Sequence, residues 1–264
     1  MDQNLIAFIL GIVEGATEFL PVSSTGHMII VGNYLHFEGK KASVFEVFIQ
    51  LGAILAVYFF YKDKFHAMLK RENWVKPKGT SIVHVIAGML PAMTIGFLLH
   101  SYIKEYLFGP ATVIIGLIVG SLFMLYAEKR SHRTTISNVD DLTIFQCFQI
   151  GLFQVLSLWP GFSRSGSTIA GGLILGTNRK AAADFSFIMA VPIMLIACIY
   201  DFLKVASKLS TGDLMMFAIG FITAFVVAYA SIVWFLRFLN KSSLASFAYY
   251  RFVIAVIACW YFYL

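Results

Sequence analysis

Charge is what this chain has least of. Only 13% of its 264 residues are Asp, Glu, Lys or Arg, against 59% apolar, and the mean hydropathy is +0.80. Soluble domains carry about 25% charged residues, so a soluble fold, and with it a soluble nucleic-acid binder, is excluded. Cysteine is scarce too. Cys147, Cys198 and Cys259 are scattered through apolar stretches without the spacing of metal ligands, which leaves them as packing residues. A basic leader is also missing: MDQNL has no Lys or Arg, and the first apolar stretch runs into Glu14 and Glu18, which argues against a signal peptide. The charge that is present leans positive, net +6. Positive loops facing a cytoplasm account for this without nucleic acid.

What is abundant is hydrocarbon in membrane-sized lengths. Six stretches, roughly 44–61, 82–100, 108–127, 185–203, 214–236 and 247–264, are about long enough to cross ~30 Å of lipid at 1.5 Å per residue. Aromatic residues make up 16% of the chain, as expected where Trp and Tyr sit at bilayer interfaces. The stretches 3–36 and 143–176 differ, each having two short apolar halves around a Pro-Ser-Gly break. That is the pattern of a helical hairpin that enters and leaves on one face. Irregular backbone is not tolerated against lipid, so the breaks belong inside the protein or along a watery cavity.

These two stretches are related. GIVEGATEFLPVSSTGH at Gly11 to His27 recurs 140 positions later as GLFQVLSLWPGFSRSGS at Gly151 to Ser167. Without a gap Gly11 falls on Gly151, Glu14 on Gln154, Ser23 on Ser163 and Gly26 on Gly166, and the register runs on to Phe45 and Phe185. Three spans separate the hairpins, an odd number, so the second copy is inverted relative to the first. The expected fold is an all-α polytopic membrane protein forming one integral membrane domain, 1–264. It has an inverted-topology repeat (about 1–127 and 141–264), six full transmembrane helices and two re-entrant helical hairpins.

Basic residues orient it. Lys62, Lys64, Lys70, Arg71, Lys76, Lys78, Lys129, Arg130, Arg133, Arg179, Lys180, Arg237 and Lys241 fall in loops that share one side. Only Lys40, Lys41, Lys104, Lys204 and Lys208 fall on the other. The first set is expected to be cytoplasmic, with both termini outside.

Glu14 and Glu18, four apart on an apolar helix, project from one face. A carboxylate near the bilayer centre costs about 2.5–3.5 kcal/mol, and two close together repel. Such a pair binds a divalent metal, handles protons, or is shielded by Arg or Lys at a helix end. Ser23-Ser24-Thr25-Gly26-His27 can open a helix, where backbone N–H groups and hydroxyls hold an anion. His27 is able to act there as nucleophile or as acid and base. In the second break Ser163-Arg164-Ser165-Gly166-Ser167-Thr168 places a guanidinium, matched to phosphate, among hydroxyls. The alternative for Arg164 is a structural partner for Glu14 or Glu18. Together these are parts for phosphoryl transfer. Glu46 and Gln50 are expected behind this site, and Arg251 to snorkel to the interface.

EGATEFLPVSSTGH, FEVFIQLGAILAVY and PGFSRSGSTIAGG bring the chain close to a known family. It resembles the undecaprenyl-diphosphate phosphatases, the bacitracin-resistance family of the bacterial inner (cytoplasmic) membrane, along essentially its whole length. The resemblance implies hydrolysis of undecaprenyl diphosphate, a polyprenyl diphosphate lipid, to undecaprenyl phosphate and inorganic phosphate, from a pocket opening to the outer (periplasmic) face. It further implies a divalent metal, Mg or Ca, at Glu14 and Glu18, and phosphate binding by Arg164. Ser23, Thr25, Gly26, Ser163, Ser165, Gly166 and Thr168 complete the phosphate cradle, while the nucleophile is either Ser24 or His27. Membrane lipid is the other expected partner, and a homo-oligomer is compatible with this picture. The rival is a secondary transporter or lipid-phosphate flippase that uses the same anion site without breaking a bond.

Overall fold

The computed structural model describes residues 2–70, 72–75, 79–131, 134–205 and 213–263. Arg71, Lys76, Lys78, Arg133 and Lys208 of the charge count lie outside them, as do Met1 and Leu264 at the ends of the expected repeats. The described residues form helices α1 (Gln3–Thr17), α2 (Ser24–Tyr34), α3 (Lys40–Phe60), α4 (Lys62–Leu69), α5 (Glu72–Val75), α6 (Ile82–Leu98) and α7 (His100–Tyr106). They continue with α8 (Pro110–Arg130), α9 (Ile144–Gln154), α10 (Arg164–Ile174), α11 (Arg179–Val205), α12 (Leu214–Leu239) and α13 (Ala245–Tyr263). The all-α polytopic expectation holds.

Five of these helices are long and apolar enough to cross a membrane: α3, α8, α11, α12 and α13. The sixth expected span is present as α6, but its 17 residues fall just short of that length. Both hairpins appear as short helix, break, short helix. The second also carries a 3-10 turn, Val155–Leu158, before its break.

The 140-residue echo extends to the backbone. Ser23 and Ser163, equivalent in register, both adopt positive φ, 71° and 76°. Each caps the following helix by accepting the backbone N–H of Gly26 or Gly166 on its side chain. At the other ends His36 (φ 51°) and Gly176 (φ 90°) reverse the chain in the same way. Left-handed backbone costs an L-residue roughly 1–2 kcal/mol, and a serine cap returns about 1 kcal/mol. The two breaks are thus one local structure used twice.

Packing repeats too. Under the offset α1 maps to α9, α3 to α11, α6 to α12 and α8 to α13. The helices pair α1 with α12 and α9 with α6, the same contact seen from each half, while α3 pairs with α11 and α8 with α13. Small residues permit the exchange: a Cβ on Gly11 would sit 2.7 Å from the Gly220 carbonyl oxygen, and one on Gly151 would collide with the Gly88 carbonyl. The central helix is α11, where Phe185, Phe187, Ile188 and Met189 are fully buried. Outward faces such as Leu122, Val226, Val256 and Trp260 are exposed hydrocarbon, as lipid requires.

Polar contacts sort the loops into two ends. At one, Lys64 pairs with Asp140 at 2.6 Å, Arg179 pairs with Glu128, and Glu128 also accepts the Leu244 N–H. At the other, Lys41 pairs with Asp213 at 2.5 Å and donates to Gln3. Loops expected to share a side therefore touch one another.

Candidate active site

The two breaks meet. Ser165 of α10 donates its hydroxyl to the Leu20 carbonyl in the first break at 2.8 Å. Between them lies a cavity of about 220 Å³ lined by Glu18, Ser23, Ser24 and Thr25 from the first hairpin and by Ser163 and Arg164 from the second. Gln50 of α3, Met194 of α11, and Ser157, Trp159, Pro160 and Gly161 along the second break complete its wall. Because α2 begins at Ser24 and α10 at Arg164, two helix N-termini converge here. Their free N–H groups and dipoles favour negative charge.

Glu18 is the hub. The Ser24 hydroxyl donates to its Oε2 at 2.5 Å, and Arg164 Nη2 donates to its Oε1 at 3.3 Å. Arg164 is held further by the Ser186 carbonyl at 3.3 Å and by the Phe19 ring, 5.4 Å away. The structural alternative for Arg164, a partner for glutamate, is thus realised while the guanidinium still lines the cavity. One turn earlier, Glu14 is buried and leaves Oε1 without a hydrogen-bond partner. It lies within electrostatic reach of Glu18, Glu46 and Arg164. An unpartnered carboxylate oxygen beside a second carboxylate suits a hard divalent cation. Among the described residues no cluster of three or more acidic, His or Cys side chains could hold a metal. Magnesium, which keeps several waters and uses one or two carboxylates plus substrate phosphates, fits such a pair.

The remaining expected residues are placed differently. Glu14, Gly26, His27, Ser165, Gly166 and Thr168 do not line the cavity. Ser165 and Thr168 are fully buried, and Thr168 bonds to the Arg164 carbonyl and the Ser186 hydroxyl. They brace the turn that carries Arg164. His27 has both ring nitrogens occupied: Nδ1 lies 2.8 Å from the Ser23 carbonyl and Nε2 2.8 Å from the Tyr250 hydroxyl, with the two rings stacked. Since a carbonyl only accepts, Nδ1 carries a proton, and in the neutral ring Nε2 accepts from Tyr250.

Two expectations need correction. Arg251 does not snorkel. It is fully buried, and its Nη2 donates to the carbonyls of Gly116, Leu117 and Gly161, tying α8 and α13 to the second break. Gln50 does not stand behind the site but faces into it, with its Oε1 accepting from the Cys198 thiol at 3.1 Å. Tyr250 escaped the sequence altogether, since it lies 223 residues from His27 with no shared motif. For Gln50 a signal existed: an amide in the middle of an apolar span needs a polar neighbour.

A polytopic helical membrane protein with a serine and a guanidinium at two converging helix starts, both bonded to one carboxylate, is the class that this geometry defines. The family model described as bacitracin resistance protein BacA matches residues 7–257, and the chain belongs to that family. It is similar to proteins named undecaprenyl-diphosphatase 1 from Bacillus thuringiensis (strain Al Hakam) and Bacillus anthracis. Each is 49% identical over 258 residues, covering 97% of either chain.

Proposed function

We propose that this chain is an integral-membrane hydrolase that cleaves undecaprenyl diphosphate to undecaprenyl phosphate and inorganic phosphate. Family membership and the names of relatives at 49% identity support the reaction. The observation that carries the chemistry is the 2.5 Å bond from Ser24 to Glu18, whose other carboxylate oxygen accepts from Arg164, all three side chains lining one cavity. The diphosphate head enters between the N-termini of α2 and α10, where Arg164 and backbone N–H groups take up its oxygens. Glu18 removes the Ser24 proton as Oγ attacks the terminal phosphorus, and the bond to the bridging oxygen breaks, releasing undecaprenyl phosphate. Glu18 passes that proton to the departing undecaprenyl phosphate, and the freed carboxylate then deprotonates water, which attacks the phosphoserine; the proton returns to the Ser24 oxygen as inorganic phosphate leaves. A divalent cation, Mg or Ca, at Glu14 and Glu18 would neutralise phosphate charge. His27 then serves as a peg between α2 and α13, not as the nucleophile.

The same proposal assigns the protein to the bacterial inner membrane. The end holding Lys64, Arg179 and Glu128 is cytoplasmic and the end holding Gln3 and Lys41 is outside. The two hairpin halves are inverted copies, and the cavity opens outward. The test is phosphate release from undecaprenyl diphosphate by purified protein, with and without chelator. Metal-dependent release that Ser24→Ala abolishes is expected. No release under any metal condition overturns the proposal in favour of a lipid-phosphate carrier.

A further inference from the structure

The 220 Å³ cavity accepts a phosphate head and leaves no room for a long hydrocarbon chain. A second concavity, about 570 Å³, lies between α6 and α11. On α6 its wall is Ile86, Leu90, Met93 and Phe97, which recur every three or four residues and so form one face. Ile196 of α11 contributes the other wall. Thr94 is the one polar side chain in its lining.

The two spaces are neighbours. Ser157 and Trp159 line the polar cavity, and Leu158 between them turns toward α6, 3.2 Å from where a Cβ on Gly96 would stand. Gly96 immediately precedes Phe97 of the groove. A head held at Arg164 therefore places the start of its hydrocarbon chain at the Phe97 end.

We infer that the α6–α11 groove binds the first isoprene units of the polyprenyl chain, an assignment that rests on the phosphatase reading above. From Phe97 to Ile86 the groove runs about 16 Å at 1.5 Å per residue, so it holds only the head-proximal part of an undecaprenyl chain and leaves the rest in lipid. Bilayer acyl chains are free to enter the same groove. The substrate's chain outcompetes them because the bound head tethers it, which turns its docking into an intramolecular step. Met89 and Met93 line the trough, and flexible thioethers suit a chain with methyl branches.

Chain length separates the outcomes. Undecaprenyl diphosphate, with eleven isoprenes, and dimethylallyl diphosphate, with one, are compared as substrates of the purified protein. Ile86→Trp blocks the far end of the groove, and Leu90→Ala, a milder change, thins its middle without obstructing folding. Val83→Trp, on the exposed part of α6 outside the groove, is the control. Ile86→Trp is expected to raise KM for undecaprenyl diphosphate about tenfold at unchanged kcat while turnover of dimethylallyl diphosphate, whose chain stops short of Leu90, stays as in the wild type. Leu90→Ala should move KM the same way by about threefold. Equal changes for both lengths, no change for either, or the same shift in Val83→Trp would overturn the inference while leaving the phosphatase intact. Absence of phosphate release from either substrate by the wild type would instead remove the reading beneath it.

Discussion

Ser24 and Glu18 form a hydroxyl–carboxylate pair at 2.5 Å across the break of the first hairpin, while Arg164 of the second hairpin holds the other carboxylate oxygen. Six residues of sequence separate the pair, and the chain between them bends because α1 stops at Thr17 and Ser23 adopts φ 71° to start α2. A single carboxylate thereby holds a serine hydroxyl on one oxygen and a guanidinium on the other.

That arrangement makes the effects of the two residues non-additive. Ser24→Ala and Glu18→Gln are each expected to lower kcat by roughly 10²–10⁴-fold, the range of a lost general base. The double variant is expected to be little worse than either alone, because groups acting as one unit are not independent. Phosphate-release kinetics of the four proteins measure this. Multiplicative losses would show that the two residues act separately.

Arg164 is expected to tolerate no conservative replacement. Its Nη2 grips Glu18 and its Nη1 the Ser186 carbonyl, so the planar fork is already spread between two partners before substrate arrives. Lysine offers a point charge that cannot span both. Arg164→Lys should lose about 10²-fold in kcat/KM, close to the loss in Arg164→Ala, which also leaves Glu18 buried without its cation. Turnover near wild type in either variant would dissociate Arg164 from phosphate capture.

His27 and Tyr250 give the opposite signature. Both imidazole nitrogens are spent on Ser23 and Tyr250 at 2.8 Å, and the side chain stands outside the cavity. Tyr250→Phe removes one hydrogen bond of about 1 kcal/mol. It should lower the thermal midpoint in detergent by a few degrees while kcat stays within about fivefold of wild type. Rapid quenching discriminates further: phosphoserine survives acid and phosphohistidine does not. An acid-labile phosphoenzyme would move the nucleophile to His27.

Much of this architecture could be read from the chain before its structure. The apolar lengths, the two broken segments and the 140-residue register all depend on local pattern, and they reappear as α1–α2 and α9–α10 with matching serine caps at Ser23 and Ser163. Basic loops expected on one side do meet, through Lys64 with Asp140 and Arg179 with Glu128. What stayed hidden was the direction in which individual side chains turn. Arg251 looked like an interfacial cation because it lies one turn into the last span. Only tertiary packing supplies the carbonyls of Gly116, Leu117 and Gly161 that let it stay buried. Ser165 and Thr168 carry the right chemistry for phosphate, yet their hydroxyls are consumed in holding the turn.

The difference between the two copies ends in a test of metal. Glu14 and Gln154 occupy equivalent positions, and both are buried with side-chain oxygens lacking hydrogen-bond partners. A neutral amide can remain so placed at modest cost, whereas a buried carboxylate needs a counter-charge. Arg164 already pairs with Glu18, and on the proposed reading a divalent cation supplies the charge that Glu14 lacks. Chelation should therefore abolish phosphate release, and either Mg²⁺ or Ca²⁺ should restore it. Glu14→Gln, which gives the first copy the residue of the second, should raise the metal concentration for half-maximal activity by about tenfold or more. Gln154 hydrogen-bonds to neither Glu18 nor Arg164, and Gln154→Glu should leave that concentration unchanged. Full activity of the wild type in chelator, or an unshifted metal requirement in Glu14→Gln, would remove Glu14 from the metal site.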